Sequence, residues 1–174
     1  MKLIVAPLHE VAGLAVRHQP SHLISLASPG HVDAPLADTP PHRLDLRFND
    51  IAEPREGLTP PTEADIAALL VFADGWDGTQ SLLIHCWAGV SRSTAAAYVV
   101  ACARSEPGRE QAWAERLRAV APTATPNPLI VALADRLLNR DGAMVRAVAA
   151  IGRGVETAWG APFELDLSPQ GASR

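Results

Sequence analysis

The chain has 174 residues, of which 48% are apolar and 20% are charged. This length fits one folded domain, and the composition excludes a disordered chain. The net charge of −4 disfavours general binding to nucleic acid, and two cysteines are too few for a disulfide scaffold. We therefore expect a single domain over residues 1–174, with free thiols and a cytoplasmic location.

The expected elements mix strands and helices early in the chain and favour helices later. No apolar run approaches the roughly 20 residues of a membrane span, so the apolar start of the chain is predicted to be a buried strand. Apolar periodicity predicts strands at 3–6, 22–27, 43–48 and 81–85, and helices at 9–18, from Thr59 or Thr62 to about 73, and at 94–104, 107–120, 129–138 and 141–151. Loops are expected at 29–42 and 49–61, and a tail after 151. This pattern is typical of an α/β domain with a small, mostly parallel sheet flanked by helices.

One segment, residues 85–93, follows an apolar strand and opens a helix, with the sequence His-Cys-Trp-Ala-Gly-Val-Ser-Arg-Ser. Ligands in such folds bind beyond the carboxyl ends of the strands, where a loop leads into a helix. Backbone N–H groups and the helix dipole at this place form a cradle for a phosphate-like anion, and glycine allows the backbone to curl tightly. The predicted phosphate-binding residues are Trp87, Ala88, Gly89, Val90, Ser91 and Arg92. The guanidinium of Arg92 is suited to holding two phosphate oxygens at once.

Cys86 lies at the base of this cradle, which indicates a nucleophile. The field that attracts phosphate also favours the thiolate, the form that attacks phosphorus. We expect Ser93 to donate to that thiolate when a phosphocysteine breaks down, and His85 to orient the loop through backbone carbonyls. Cys102, within the following helix, is expected to be a core residue.

The flanking residues make this pattern specific. With random placement of this composition, H-C-x-x-G-x-x-R-S would arise with a chance of roughly 2 in 100,000, whereas Cys-x5-Arg alone would arise about one time in six. The segment resembles the signature loop of the cysteine-based protein tyrosine phosphatases. The short chain looks most like their compact dual-specificity branch, which includes small bacterial members. The motif match covers residues 85–93, and the order of elements from about 22 to 140 is compatible with that fold.

The resemblance implies a phosphomonoesterase that works through a phosphocysteine intermediate on Cys86. Its expected substrate is a phosphorylated protein or a small phosphomonoester. Among phosphorylated proteins, phosphotyrosine is the first expectation, and dual specificity is an extension of it. The mechanism requires no cofactor and no metal ion, and no nucleic acid or membrane partner is expected. The loop interior has no lysine or second arginine, which favours singly phosphorylated side chains over polyanionic inositol phosphates.

The resemblance also implies an acid from another loop, some tens of residues before the cysteine, because the leaving oxygen must be protonated. Asp50 is our choice, since it follows the strand at 43–48 and starts a loop that contains proline and glycine. The same residue would activate the water that hydrolyses the phosphocysteine. Glu53 is the second choice, and Asp45 and Glu56 are further candidates. Asp45 alternates with arginines along a strand, which better fits a surface ion pair.

Several other residues keep two interpretations. Asn127 precedes a helix and is expected either to support the signature loop or to cap that helix. Trp87, inside the loop, faces either substrate or core. Trp76, Trp113 and Trp159 are more typical of packing residues than of substrate platforms.

Two other functions stay open. A rhodanese-type sulfurtransferase also places a cysteine in a loop before a helix, although without the Gly-x-x-Arg-Ser arrangement or an upstream acid. A non-catalytic phosphate-binding module would keep the cradle, although such relatives usually lose the cysteine or the arginine.

Overall fold

The computed structural model describes residues 1–31 and 40–168. Its strands are β1 (Lys2–Pro7), β2 (His22–Ala27), β3 (His42–Arg47), β4 (Leu82–Cys86) and β5 (Phe163–Asp166). Its helices are α1 (Val11–His18), α2 (Glu63–Asp74), α3 (Arg92–Ala103), α4 (Glu110–Val120), α5 (Pro128–Leu137) and α6 (Ala143–Ile151). A 3-10 turn, Leu8–Glu10, links β1 to α1. Residues 32–39 of the predicted loop and 169–174 of the predicted tail lie outside the described residues.

The strands form one sheet in the order β3-β2-β4-β1-β5. All neighbouring pairs are parallel except β1 and β5, which are antiparallel. Pro7 pairs with Cys86 between β1 and β4, and Ala27 pairs with Arg47 between β2 and β3. The carboxyl ends of four strands therefore meet at one edge of the sheet, where a ligand site is expected in such a fold. The prediction of a small, mostly parallel sheet flanked by helices is confirmed.

Both faces of the sheet are covered, which explains the continuous apolar runs of its central strands. Leu3 and Val5 of β1 point into the main core with α2, α3 and α5, because successive side chains of a strand alternate between the two faces. Ile4 and Ala6 pack on the opposite face, against Val11, Leu14 and Ala15 of α1. Strand β1 is thus covered on both faces and paired with β4 and β5 at its two edges.

Helix α3 is the most buried helix of the described chain. Its residues from Arg92 to Cys102 are all buried, and four of them are alanines. Small side chains allow a helix to approach a sheet closely, and α3 packs against β1 and β4. Since α3 begins at Arg92, this packing fixes the position of the arginine relative to Cys86 at the end of β4.

The prediction of a tail after residue 151 is wrong for residues 163–166, because they form the strand β5. Phe163 and Leu165 are buried while Glu164 and Asp166 are exposed, so the segment forms a half-buried edge strand on β1. Four alternating residues are too few to indicate a strand by periodicity, and the pairing partner lies at the other end of the chain. None of the described helices has the length and apolar character needed to cross a bilayer.

Candidate active site

The predicted signature loop lies at the carboxyl edge of the sheet. Cys86 is the last residue of β4 and is 2% exposed, and Arg92 is the first residue of α3 and is 5% exposed. The five residues between them form the turn from strand to helix. The strand–loop–helix context expected from the sequence is therefore present.

The backbone of this loop turns its carbonyl groups outward. Four of them accept hydrogen bonds from N–H groups outside the loop: Trp87 from Leu8 at 3.1 Å, Ala88 from Gly160 at 2.8 Å, Val90 from Thr125 at 2.9 Å and Ser91 from Asn127 at 3.3 Å. In a planar trans peptide the N–H points away from the carbonyl of the same peptide. The N–H groups that follow these four carbonyls, those of residues 88, 89, 91 and 92, therefore face the inside of the loop. Converging N–H groups of this kind form an anion-binding concavity.

The thiol of Cys86 lies at the floor of this concavity. The Gly89 N–H donates to Cys86 Sγ at 3.3 Å, and Ser93 Oγ lies 3.2 Å from the same sulfur. The Gly89 N–H and the Ser93 hydroxyl thus both lie against the sulfur, while the role of Ser93 in the breakdown of a phosphocysteine stays a prediction. His85 is buried on β4 and lines the same pocket, while its role in orienting the loop stays a prediction. Cys102 lies within α3, where burial raises the pKa of its thiol to about 12.

Arg92 is anchored by the ends of two strands. Its Nη1 donates to the carbonyl of Phe48 at 3.0 Å, just after β3, and to Ser28 Oγ at 3.4 Å, just after β2. Its Nε is buried and makes no hydrogen bond to any described residue. The guanidinium is therefore held from one side and keeps a donor for a ligand, an arrangement suited to a tetrahedral oxyanion.

Asp50 is brought to the loop by two hydrogen bonds to a single carboxylate oxygen. Ser91 Oγ donates to Asp50 Oδ1 at 2.7 Å, and Asn127 Nδ2 donates to the same oxygen at 2.8 Å. Asp50 Oδ2 lies 3.9 Å from Arg92 Nε. The side chain is 37% exposed and lines the pocket, so the carboxyl group meets both the loop and solvent.

The other acids proposed from the sequence lie elsewhere. Asp45 forms ion pairs with Arg43 at 2.8 Å and Arg47 at 3.2 Å, which is the surface pairing expected for it. Glu53 and Glu56 are exposed and do not line the pocket. The geometry therefore favours Asp50 among these acids.

Asn127 caps α5 with its side chain, and its backbone N–H donates to the Ser91 carbonyl of the signature loop. Its Oδ1 caps α5 by accepting the N–H groups of Leu129 at 3.0 Å and Ile130 at 3.1 Å. Its Nδ2 donates to the Ile51 carbonyl at 3.2 Å as well as to Asp50. One side chain thus couples the start of α5 to the loop after β3, while its backbone N–H holds the signature loop.

A pocket of about 360 Å³ lies over Cys86 at the carboxyl edge of the sheet. Cys86, Arg92, Asp50, His31 and Trp87 contribute to its wall, and among the described lining residues Arg92 is the only lysine or arginine. Trp87 is 53% exposed, so it faces the pocket mouth rather than the core. No cluster of three His, Cys, Asp or Glu side chains in residues 1–31 and 40–168 is placed to hold a metal ion.

Comparison with known proteins assigns the fold. No protein-family model matches the sequence, and a search of curated proteins gives no match. The crystal structure of DUSP15 matches 86% of this chain and 89% of its own, with a TM-score of 0.57 and 19% identity. A mouse putative dual specificity phosphatase, solved as a complex with zinc tungstate, matches 84% of this chain and 86% of its own, with a TM-score of 0.58 and 15% identity. The chain has the dual specificity phosphatase fold.

On this phosphatase fold, four aromatic side chains form a feature that the sequence analysis missed, the aromatic rim of His9, His31, Trp87 and Trp159. The rings of Trp87 and Trp159 lie 5.7 Å apart, and edge-on contacts join His9 to Trp159 at 5.0 Å and His31 to Trp87 at 5.6 Å. Trp159 is 45% exposed and packs its ring against His9 and Trp87, so it lies at the surface rather than in the core. The four residues lie in separate segments of the chain, and no local pattern links them.

Gly89→Ala is expected to weaken oxyanion binding by more than about tenfold and to lower the melting temperature. Gly89 has a φ of +71°, and a Cβ there would lie 2.6 Å from the backbone nitrogen of Pro7. Because β1 is fixed in the sheet, the signature loop must shift and its N–H groups lose their convergence. Calorimetric titration with inorganic phosphate and a thermal melt measure the two effects.

Gly108→Ala is the matched control for Gly89→Ala. Gly108 also has a positive φ, +94°, but a Cβ there would have no neighbour within 4 Å. This variant therefore carries the backbone strain without the close contact, and unchanged phosphate binding is expected. Equal loss of binding in both variants would contradict the role of close packing against Pro7.

Proposed function

We propose that residues 1–174 form a phosphatase domain that hydrolyses phosphomonoesters through a phosphocysteine on Cys86, with protein phosphotyrosine as the first substrate class and dual specificity as its extension. One observation carries this proposal: the Cys86 thiol, the Arg92 guanidinium and the Asp50 carboxyl line a single pocket. The inward N–H groups of the signature loop add the site for the phosphoryl oxygens. These are the groups needed to attack, hold and protonate a phosphate ester.

The first step transfers the phosphoryl group to sulfur. The Cys86 thiolate attacks phosphorus and forms the S–P bond while the bond from phosphorus to the bridging oxygen breaks. The loop N–H groups and Arg92 hold the three non-bridging oxygens, where charge accumulates. Asp50 gives its proton to the departing oxygen, so the product leaves as a neutral alcohol or phenol.

The contacts of Asp50 favour one of its two oxygens as the carrier of that proton. Oδ1 already accepts hydrogen bonds from Ser91 and Asn127, so the proton of the neutral acid resides on Oδ2. Oδ2 is the oxygen that lies 3.9 Å from Arg92 Nε, beside the proposed phosphoryl site. Ser91 and Asn127 therefore act as positioning residues that hold the acid with its proton toward the leaving group.

The second step hydrolyses the phosphocysteine. A water molecule attacks phosphorus and gives a proton to Asp50, now a carboxylate, which restores the acid for the next cycle. The S–P bond breaks and its electron pair returns to Cys86 Sγ. Ser93 and the Gly89 N–H lie within hydrogen-bonding distance of this sulfur and stabilise the thiolate as it leaves.

The pocket favours a substrate with one phosphoryl group. Arg92 is the only lysine or arginine among the described lining residues, so a second phosphate would have no cationic partner there. The mouse neighbour was solved with zinc tungstate. Tungstate is a tetrahedral oxyanion, which makes it a suitable competitor for the proposed cradle. The proposed steps need only a nucleophile and proton transfer, so no cofactor is required, and the two free thiols favour a cytoplasmic location.

Release of inorganic phosphate in the presence of a metal chelator is the experiment that tests this proposal. We expect release from matched phosphotyrosine and phosphothreonine peptides, faster from phosphotyrosine, and little from inositol phosphates. Tungstate should inhibit competitively. Acid quenching during turnover should trap one phosphoryl group on the peptide that contains Cys86, which mass spectrometry detects.

Other outcomes of the same assays point to other functions. Sulfur transfer from thiosulfate to cyanide without phosphate release would identify a sulfurtransferase. Binding of phosphopeptides without any release would identify a phosphate-binding module. Release that mainly uses inositol phosphates would keep the mechanism and overturn the proposed substrate class.

A further inference from the structure

The aromatic rim exposes two tryptophans beside the pocket. Trp87 is 53% and Trp159 is 45% exposed, whereas Trp76 is fully buried with its Nε1 bonded to the Gln80 carbonyl. Exposed apolar surface next to a pocket is typical of a ligand-binding surface rather than of core packing. The rim therefore requires an explanation other than stability.

The fold fixes the position of Trp159 through the signature loop itself. Gly160 donates its N–H to the Ala88 carbonyl at 2.8 Å and lies so close to the loop that a Cβ would be 2.7 Å from the Gly89 carbonyl oxygen. On the other side, Thr157 Oγ1 donates to the Trp159 carbonyl at 2.8 Å. Trp159 is thus mounted on the outside of the same loop that forms the anion cradle.

Contacts between neighbouring rings orient the rim. Trp87 and Trp159 are tilted by 40° to one another, which leaves their faces at an angle. His9 meets Trp159 edge-on at 88°, and His31 meets Trp87 edge-on at 89°. Such contacts restrict the rotamers of both tryptophans and lower the entropy lost when a further ring packs against them.

We propose that Trp87 and Trp159 form a ring subsite that binds the aryl group of the substrate and so selects aryl over alkyl phosphomonoesters. This inference rests on the proposed function, because it takes the cradle around Cys86 and Arg92 as the phosphoryl site. Trp87 belongs to the pocket wall and to the rim, so a ring attached to a phosphoryl group in the cradle lies next to Trp87, whose own ring is 5.7 Å from that of Trp159. Trp159 is then a specificity-determining residue from the segment after α6.

Direct binding of two phosphonates tests the ring subsite without turnover. Phenylphosphonate and methylphosphonate carry the same anionic group and no bridging oxygen, so neither is hydrolysed and they differ only in the ring. Calorimetry with the full chain should give about three- to tenfold tighter binding of phenylphosphonate. Trp159→Leu should reduce this preference to less than about twofold, and Trp159→Phe should retain most of it. Inorganic phosphate measures the cradle alone.

Val155→Ala is the matched control. Val155 lies in the same segment and is 65% exposed, and we expect this variant to keep the wild-type preference. Equal binding of the two phosphonates by the wild-type chain would overturn the ring subsite and leave the proposed phosphatase intact. If Trp159→Leu weakened inorganic phosphate as strongly as phenylphosphonate, Trp159 would support the loop rather than the ring, which also overturns the inference. Failure of all three anions to bind would overturn the cradle and the subsite together.

Discussion

Cys86→Ser is expected to lower phosphatase turnover by at least about 10⁴-fold while inorganic phosphate and tungstate still bind. A serine Oγ at this position can still accept the Gly89 N–H, so the loop keeps its form. The serine hydroxyl is a far weaker nucleophile than a thiolate, and it leaves phosphorus poorly in the second step. Initial rates with a phosphotyrosine peptide and calorimetric titration with the two oxyanions measure the two properties separately.

The second cysteine provides a matched control for this substitution. Cys102 is buried in α3, burial raises the pKa of its thiol to about 12, and it does not line the pocket. Cys102→Ala should therefore keep the turnover of each folded molecule, with some loss of thermal stability from the cavity. Retention of more than about one hundredth of the wild-type rate in Cys86→Ser would remove Cys86 from the role of nucleophile.

The signature loop could be predicted because its chemistry is local. Nucleophile, glycine and arginine lie within residues 86–92, and their positions follow from the strand and helix that flank them. The period of two along residues 43–48 likewise indicated β3, with Leu46 and Phe48 buried and Asp45 exposed. Patterns of this kind depend only on neighbours along the chain, so composition and spacing are sufficient to find them.

Contacts between distant segments could not be predicted in this way. The sequence predicts that Asp50 lies on a loop after a strand. It does not predict the two hydrogen bonds of Asp50, because their donors, Ser91 and Asn127, lie far along the chain. The antiparallel pairing of β5 with β1 could not be predicted for the same reason, nor could the contact of Trp159 with Trp87 of the signature loop. Each depends on how helices and loops bring distant segments of the chain together.

Asp50→Asn is expected to slow hydrolysis of poor leaving groups by about 10²- to 10³-fold and to have progressively less effect as the leaving group improves. The asparagine oxygen can accept the hydrogen bonds that Ser91 and Asn127 now donate to Oδ1, so the side chain keeps its place. What the variant loses is the proton on the other oxygen. A leaving group that departs readily as an anion does not need that proton, and a phenol of high pKa does.

A series of aryl phosphates whose phenols differ in pKa measures this effect. For the wild-type protein, log kcat/KM should vary little with the pKa of the phenol, and for Asp50→Asn it should fall steeply as that pKa rises.

Glu53→Gln is the control that tests whether Asp50, rather than another acid of the same loop, donates the proton. Glu53 was the second choice from the sequence, and it is exposed and does not line the pocket. Its variant should show the flat wild-type dependence, whereas a steep dependence in Glu53→Gln alone would transfer the acid role to Glu53. A uniform loss of rate across all phenols in Asp50→Asn would mean that Asp50 holds the loop in place without donating a proton. The slope thus distinguishes proton transfer from positioning, because a residue that only orients the loop affects every leaving group equally.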